Sequence, residues 1–298
     1  MTSRRLSIVW PLLIIVVAAV WLMQAAGTLP PAIADLIVRA WPIVLVLVGL
    51  MLLLGRLLRF GNVISIVLCA VLVGVVVTAA YSQQSGKVRT ENHKSLNQAI
   101  DPTVTNVQID LTMLVTEIEI VPDEGSAITG EFAGSRESTL TSDFQIDGKV
   151  GTFTLVEAQS SAIPSLDAVG KGKLTLHVPK NLTMDQIRVN GRGGDIALDA
   201  SSATIKNLSL ATGTGDISVK LPDKSGLIGD IKTGSGDVVL EVTKTIAANI
   251  TLRGAGAANP VYNTADYVLD VNHVLQRRGA SDTQMQIAVD AGGRVTVQ

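Results

Sequence analysis

Three Gly-Asp pairs recur at one fixed distance in the middle of this sequence. They are Gly194-Asp195, Gly215-Asp216 and Gly236-Asp237, each 21 residues after the last. A constant period of roughly 20–50 residues marks a repeat architecture, in which a unit that cannot bury its apolar face alone stacks on its neighbours. After each pair the apolar residues alternate: Ile196 and Leu198, Ile217 and Val219, Val238 and Leu240. Period two places them on one face of a strand. Glycine reaches the positive φ of a tight corner without a Cβ clash, and the aspartate after it can accept hydrogen bonds from turn N–H groups. The unit reads as strand, glycine corner, strand, which predicts an all-β, β-helix-like solenoid of 21-residue coils. Its six Gly and Asp residues are expected to be structural turns.

The same pattern invites sharper readings. Calcium-binding β-rolls also use Gly and Asp, but at a nine-residue period. A hard cation wants about six or more oxygen ligands, and each coil here offers one carboxylate. The GxGD motif of intramembrane aspartyl proteases is matched by residues 213–216, but that motif belongs in an apolar helix and this copy lies among strand signals. Asp195, Asp216 and Asp237 could align as a ladder that attracts cations or a basic partner. Three solvated turn caps are the preferred expectation, with no metal and no cofactor.

The 298-residue chain divides by charge. Residues 1–81 carry five Lys or Arg and one acid, Asp35, whereas residues 82–298 carry nineteen Lys or Arg and twenty-five acids. A basic apolar half joined to an acidic polar half predicts a membrane anchor with a soluble domain. The acidic half speaks against nucleic acid, whose binding needs clustered basic charge. Apolar runs predict three α-helical transmembrane spans at about residues 6–26, 36–55 and 63–81, each near the ~20 residues a bilayer requires. Arg4, Arg5, Arg56 and Arg59 fall on one side of that arrangement, so the N-terminus is expected in the cytoplasm and the C-terminal domain outside. Reading 1–26 as a cleaved signal peptide would leave that location unchanged.

Residues 82–100 are polar and read as a juxtamembrane linker, and residues 101–298 as the solenoid domain. Alternation over Val107, Ile109 and Leu111 and over Ile118 and Ile120 predicts strands, and Asp147-Gly148 predicts a hairpin turn. Residues 249–252, 267–271, 284–289 and 294–297 read as closing strands, with a short helix over 269–278 as the alternative. The single cysteine, Cys69, excludes a disulfide within one chain. His93, His177 and His273 share no metal-ligand spacing. No nucleophile elbow, HExxH or Walker loop occurs. With aromatic residues at 3% of the chain, a sugar-stacking surface is not expected.

Taken together, Trp41-Pro42 leading into Gly49-Leu50, Val178-Pro179, and the Gly194-Asp195-Ile196 turns resemble the LiaF-like, cell-wall-active antibiotic response proteins of bacterial membranes. Their C-terminal β-solenoid is called toastrack and also goes by the label "putative adhesin". Such domains usually have a small Gly turn in their first strands, where this chain has Met113-Leu114-Val115-Thr116. The resemblance implies a non-enzymatic sensor or scaffold of the cell envelope. It would modulate a stress response through a membrane or envelope partner such as a sensor kinase. A surface adhesin or self-assembling homo-oligomer is the alternative, and a hydrolase ranks third.

Overall fold

The computed structural model describes Val71, Gly74, Thr78, Ser82 and residues 85–160, 168–224, 226–243, 246–278 and 285–298. The spans expected at 6–26 and 36–55, and nearly all of 63–81, lie outside these residues. Among the described residues no helix is long and apolar enough to cross a membrane. The chain divides into two units, one holding residues up to Lys87 and the other nearly everything from Val88 onward. In the first, Val71, Gly74, Thr78, Ser82 and Ser85 are helical, and the Thr78 hydroxyl donates to the Gly74 carbonyl one turn back at 2.8 Å.

The second unit is built from strands. In chain order they are β1 (Asn92–Ala99), β2 (Asn106–Asp123), β3 (Ala127–Gly134), β4 (Ser138–Asp147), β5 (Val150–Gln159) and β6 (Gly172–Pro179). The glycine-cornered region supplies β7 (Thr183–Gly193), β8 (Ile196–Asp199), β9 (Thr204–Thr212), β10 (Ile217–Lys220), β11 (Leu227–Thr233) and β12 (Val238–Glu241). Then come β13 (Ala248–Arg253), β14 (Val261–Tyr262), β15 (Tyr267–Leu269), β16 (Val274–Arg277), β17 (Met285–Ala291) and β18 (Val295–Val297).

From β6 to β14 successive strands alternate between two faces. On the first, the spatial order is β4, β5, β2, β7, β9, β11, β17, β13, β16, β15. On the second it is β1, β3, β6, β2, β8, β10, β12, β18, β14. The middle strands of both are parallel. Antiparallel strands close one end of both faces and the far end of the first. Ile196, Ile217 and Val238 stand side by side, as do Leu198, Val219 and Leu240, and none is more than 3% exposed. Facing them on the other sheet, Val189, Leu210 and Ile231 are in register. Both rows belong to one continuous core, and each buried aliphatic side chain contributes roughly 1.5–3 kcal/mol.

Stacking departs from chain order at two places. β2 lies between β5 and β7 on the first face and between β6 and β8 on the second. It spans 18 residues without a glycine corner. Two successive residues that are not buried, Leu114 and Val115, break its alternation where it passes from one face to the other. Likewise β17 sits between β11 and β13, and β18 between β12 and β14.

Two sequence expectations need correction. The stretch 82–100, read as linker, contains β1, which pairs antiparallel with β3 along its whole length. Only Leu96 of β1 is buried. Its other inward side chains are polar, and Asn92 and Lys94 donate to the Ser138 and Leu140 carbonyls of β4, each at 2.6 Å. The helical alternative for 269–278 also fails. Asp270 accepts from the N–H groups of Asn272 and Val274 at 2.8 Å each, folding a turn between β15 and β16.

Candidate functional site

Each 21-residue coil turns from the first face to the second at a glycine corner. Gly194 and Gly215 have φ of 96° and 136°, a region that favours glycine. Gly236 does not need a positive φ, but a Cβ there would lie 1.8 Å from the Gly215 carbonyl oxygen. Glycine is therefore required at this corner by the closeness of the coils. Thr212 and Thr233 brace the corners from inside: their hydroxyls donate to the Gly194 and Gly215 carbonyls at 3.2 and 2.8 Å.

The aspartates do not cap their own turns. Asp195 Oδ1 accepts from the Asp216 N–H at 2.9 Å, and Asp216 Oδ1 from the Asp237 N–H at 2.8 Å. Asp237 Oδ1 accepts from the Arg294 N–H at 2.7 Å. The three carboxylates thus form a ladder in which each side chain clamps the next coil. Glu117 of β2 stands at the near end. Lys171 Nζ lies 3.2 Å from Glu117 and 3.9 Å from Asp195. Next to it, Lys173 Nζ is 3.9 Å from Glu119.

Beside the ladder runs a shallow groove of about 370 Å³, lined by Glu117, Glu119, Lys173, Asp195, Asp216, Asp237 and short side chains such as Ala197 and Ser218. The small residues come from one outward row, in which Ala197, Ser218 and Val239 are direct partners. Strand neighbours lie ~4.8 Å apart, so the acids form one wall of closely spaced acceptors. At the opposite end of β8, Asp199 Oδ1 accepts from the hydroxyl and N–H of Ser201 at 2.6 and 3.0 Å. Chiefly the hydroxyl bond holds its carboxyl below the ordinary carboxylate value.

Among the described residues no set of three or more His, Cys, Asp or Glu side chains is placed to hold a metal ion. The histidines stay apart. His93 on β1 and His177 on β6 are separated by β3 and by four residues of register, and His273 lies in the turn before β16.

These coils can be set beside known proteins. A family model described as Toast_rack_N, the N-terminal domain of toast_rack (DUF2154), matches residues 84–241, more than half of the chain. The chain belongs to the toast_rack family. The toast_rack match covers the strands from β1 to β12, including every Gly-Asp corner. No curated protein matches the sequence. Among solved structures, a "putative cell adhesion protein" from Clostridium sporogenes is 16% identical, with a TM-score of 0.60, covering 69% of this chain and 99% of that one. At that identity the likeness speaks for a shared fold. A "putative adhesin" from Bacteroides fragilis covers 72% of this chain and all of its own, at 7% identity and a TM-score of 0.27.

Sequence reasoning missed the two ends of the toast_rack ladder. Glu117 and Lys171 lie outside the repeat period, and their neighbourhood follows from the insertion of β2. The last corner, Gly292-Gly293-Arg294, carries Arg where the others carry Asp. It stands 57 residues after Asp237, off the 21-residue period. The one local signal for it is a Gly pair followed by the alternating Val295-Thr296-Val297.

Proposed function

We propose that the chain is a membrane-anchored, non-enzymatic scaffold or sensor of the bacterial cell envelope, of the LiaF-like kind. Its toast_rack domain lies outside the membrane, and the N-terminal spans root it in the bilayer with the N-terminus in the cytoplasm. Residues 1–81 support the anchor, with their apolar runs and basic loops. The observation that carries the binding role is the acid-walled groove along β8, β10 and β12. Its backbone is satisfied by the neighbouring coils and its Asp ladder is held in fixed register. A rigid stacked surface of this kind suits recognition of a protein partner. A membrane or envelope protein, such as a sensor kinase, fits that role.

Co-purification of the full chain from detergent-solubilised bacterial membranes tests this reading. The expected result is one specific membrane or envelope partner that is lost when Asp195, Asp216 and Asp237 are all replaced by Asn. Recovery of the same partners with the triple variant, or of none with the parent chain, would count against it. Labelling of a cysteine introduced at Ser218 in intact cells tests the location, since a cytoplasmic domain would be protected from an impermeant reagent.

A further inference from the structure

The 21-residue phase continues through the point where the stack is interrupted. Leu208 and Gly229, and Leu210 and Ile231, are 21 residues apart and are direct neighbours in β9 and β11. Gly229 and Ile250, and Ile231 and Leu252, are also 21 apart, yet they do not touch as strand partners. Ile287 stands between the first two and Val289 between the second. β13 is therefore in phase to stack directly on β11, and β17 occupies the space between them. β18 does the same on the other face, between Val239 of β12 and Val261 of β14. The coil made by residues 285–298 fills a slot whose two walls are consecutive in sequence, while the occupant itself comes from further along the chain.

The slot is demanding about what fills it. Both edges of β17 take parallel partners, Leu227–Thr233 on one side and Ala248–Arg253 on the other. Met285, Ile287, Val289, Val295 and Val297 project inward, none more than 2% exposed. The corner admits no side chain: a Cβ on Gly292 would lie 2.1 Å from the Gly234 carbonyl oxygen, and one on Gly293 2.5 Å from that of Gly236. An occupant needs an alternating apolar strand, two adjacent glycines and a second short apolar strand, in that order. A second copy of this chain supplies that sequence.

We propose that the slot takes residues 285–298 from a second copy as well as from its own, so that two copies exchange their β17–β18 coils. The exchanged pair makes the same contacts as two separate copies. Its free energy therefore differs only through the connecting segment and the joining of two chains, which is why exchange of an identical element is a low-cost route to a dimer. Confinement of copies at high local concentration favours it by mass action.

The test uses the full chain with Cys69, its one cysteine, replaced by Ala. Asp230 is the strand partner of Ala288. Co-expression of a D230C chain with an A288C chain, followed by mild oxidation, is expected to give a disulfide-linked dimer containing one of each. The pair I228C and A288C is two residues out of register, beyond the ~7 Å Cα separation a disulfide can bridge, and is expected to give none. The proposal is overturned if the matched pair gives no more linked dimer than the offset pair. Spin labels on the same two single-cysteine chains provide a second readout independent of disulfide geometry. Exchange places labels on different copies about one strand spacing plus two label arms apart, and absence of any such short inter-copy distance equally overturns it.

Discussion

The N–H of Asp216 donates to Oδ1 of Asp195, 2.9 Å away across a coil boundary and 21 residues back in the chain. The bond recurs from Asp237 to Asp216. Asp216 is thus donor to one neighbour and acceptor from the other. Replacing it by Ala removes the acceptor for the Asp237 N–H, and one hydrogen bond is worth about 0.5–1.5 kcal/mol. Asp216→Asn keeps a carbonyl oxygen there and removes a charge flanked by two like charges at ~4.8 Å. The expected order of thermal stability is therefore Asn at or slightly above the parent, and Ala about 1 kcal/mol below it. Hydrogen exchange at the Asp237 amide should accelerate in the Ala variant and not in the Asn variant.

Glycine corners fail for different reasons at different positions, and alanine scanning should separate them. At Gly236 an added Cβ meets the Gly215 carbonyl oxygen at 1.8 Å, so the coils themselves must part. At Gly226, φ is 95° but no atom lies within 4 Å of the Cβ position. Gly226→Ala is expected to cost about 1–2 kcal/mol, the backbone strain of a left-handed residue. Gly236→Ala should cost more than 3 kcal/mol, in the range of severe overpacking, or prevent folding. Equal unfolding midpoints for the two variants would contradict the close-approach account.

How far these features could be read from residues alone depends on their range. The core row of Ile196, Ile217 and Val238 was legible because its period and its alternation both lie in the chain. β1 was not, because a strand with a single buried apolar residue, Leu96, looks like a linker until Asn92 and Lys94 find the carbonyls of β4. The placement of β17 was equally hidden. Its alternation marks a strand, but nothing local distinguishes an end position from one between β11 and β13. The Asp ladder was half legible: the spacing put the carboxylates at equivalent corners, whereas their bonding to the next coil, rather than to their own turns, is a property of the stack.

Glu157 explains how β2 rounds its corner without glycine. Its carboxylate is 5% exposed. Oε2 accepts from the Leu114 N–H at 2.9 Å and the Thr116 hydroxyl at 2.7 Å, and Oε1 accepts from the Ser138 hydroxyl at 3.0 Å. The carboxylate satisfies the backbone where β2 changes sheets. Glu157→Ala leaves the Leu114 N–H and the buried Thr116 hydroxyl without their partner, at about 1–3 kcal/mol per group left unsatisfied, whereas the Ser138 hydroxyl keeps that of Ser135 at 3.3 Å. A loss of about 3 kcal/mol or more is expected. Glu157→Gln preserves one carbonyl oxygen for Leu114 and Thr116, and Ser138 can turn its hydroxyl to accept, so the loss should be smaller. Chemical denaturation of both variants checks the order.

Acid should weaken the stack at one identifiable place, the Asp185 carboxylate. In β7 the pairing with β2 passes from Met184 to Gln186, leaving Asp185 as a bulge. Its carboxylate meets Lys206 Nζ at 2.7 Å and accepts from the Asn106 amide at 2.8 Å. The Lys206 hydrogen bond is the largest influence on it and outweighs the opposing effect of burial; with the weaker help of the Asn106 bond it holds the pKa below the ordinary 3.8. A carboxyl with a depressed folded-state pKa adds stability that is complete above its unfolded value and disappears as the pH falls through the folded one. The contribution of Asp185 should therefore be constant from neutral pH down to about 4 and vanish below it. Asp185→Asn is expected to unfold at a lower temperature than the parent at pH 7. The two should converge as acid is added below pH 4, and a gap that stays constant to the lowest pH would assign the loss to the bulge geometry instead of the charge.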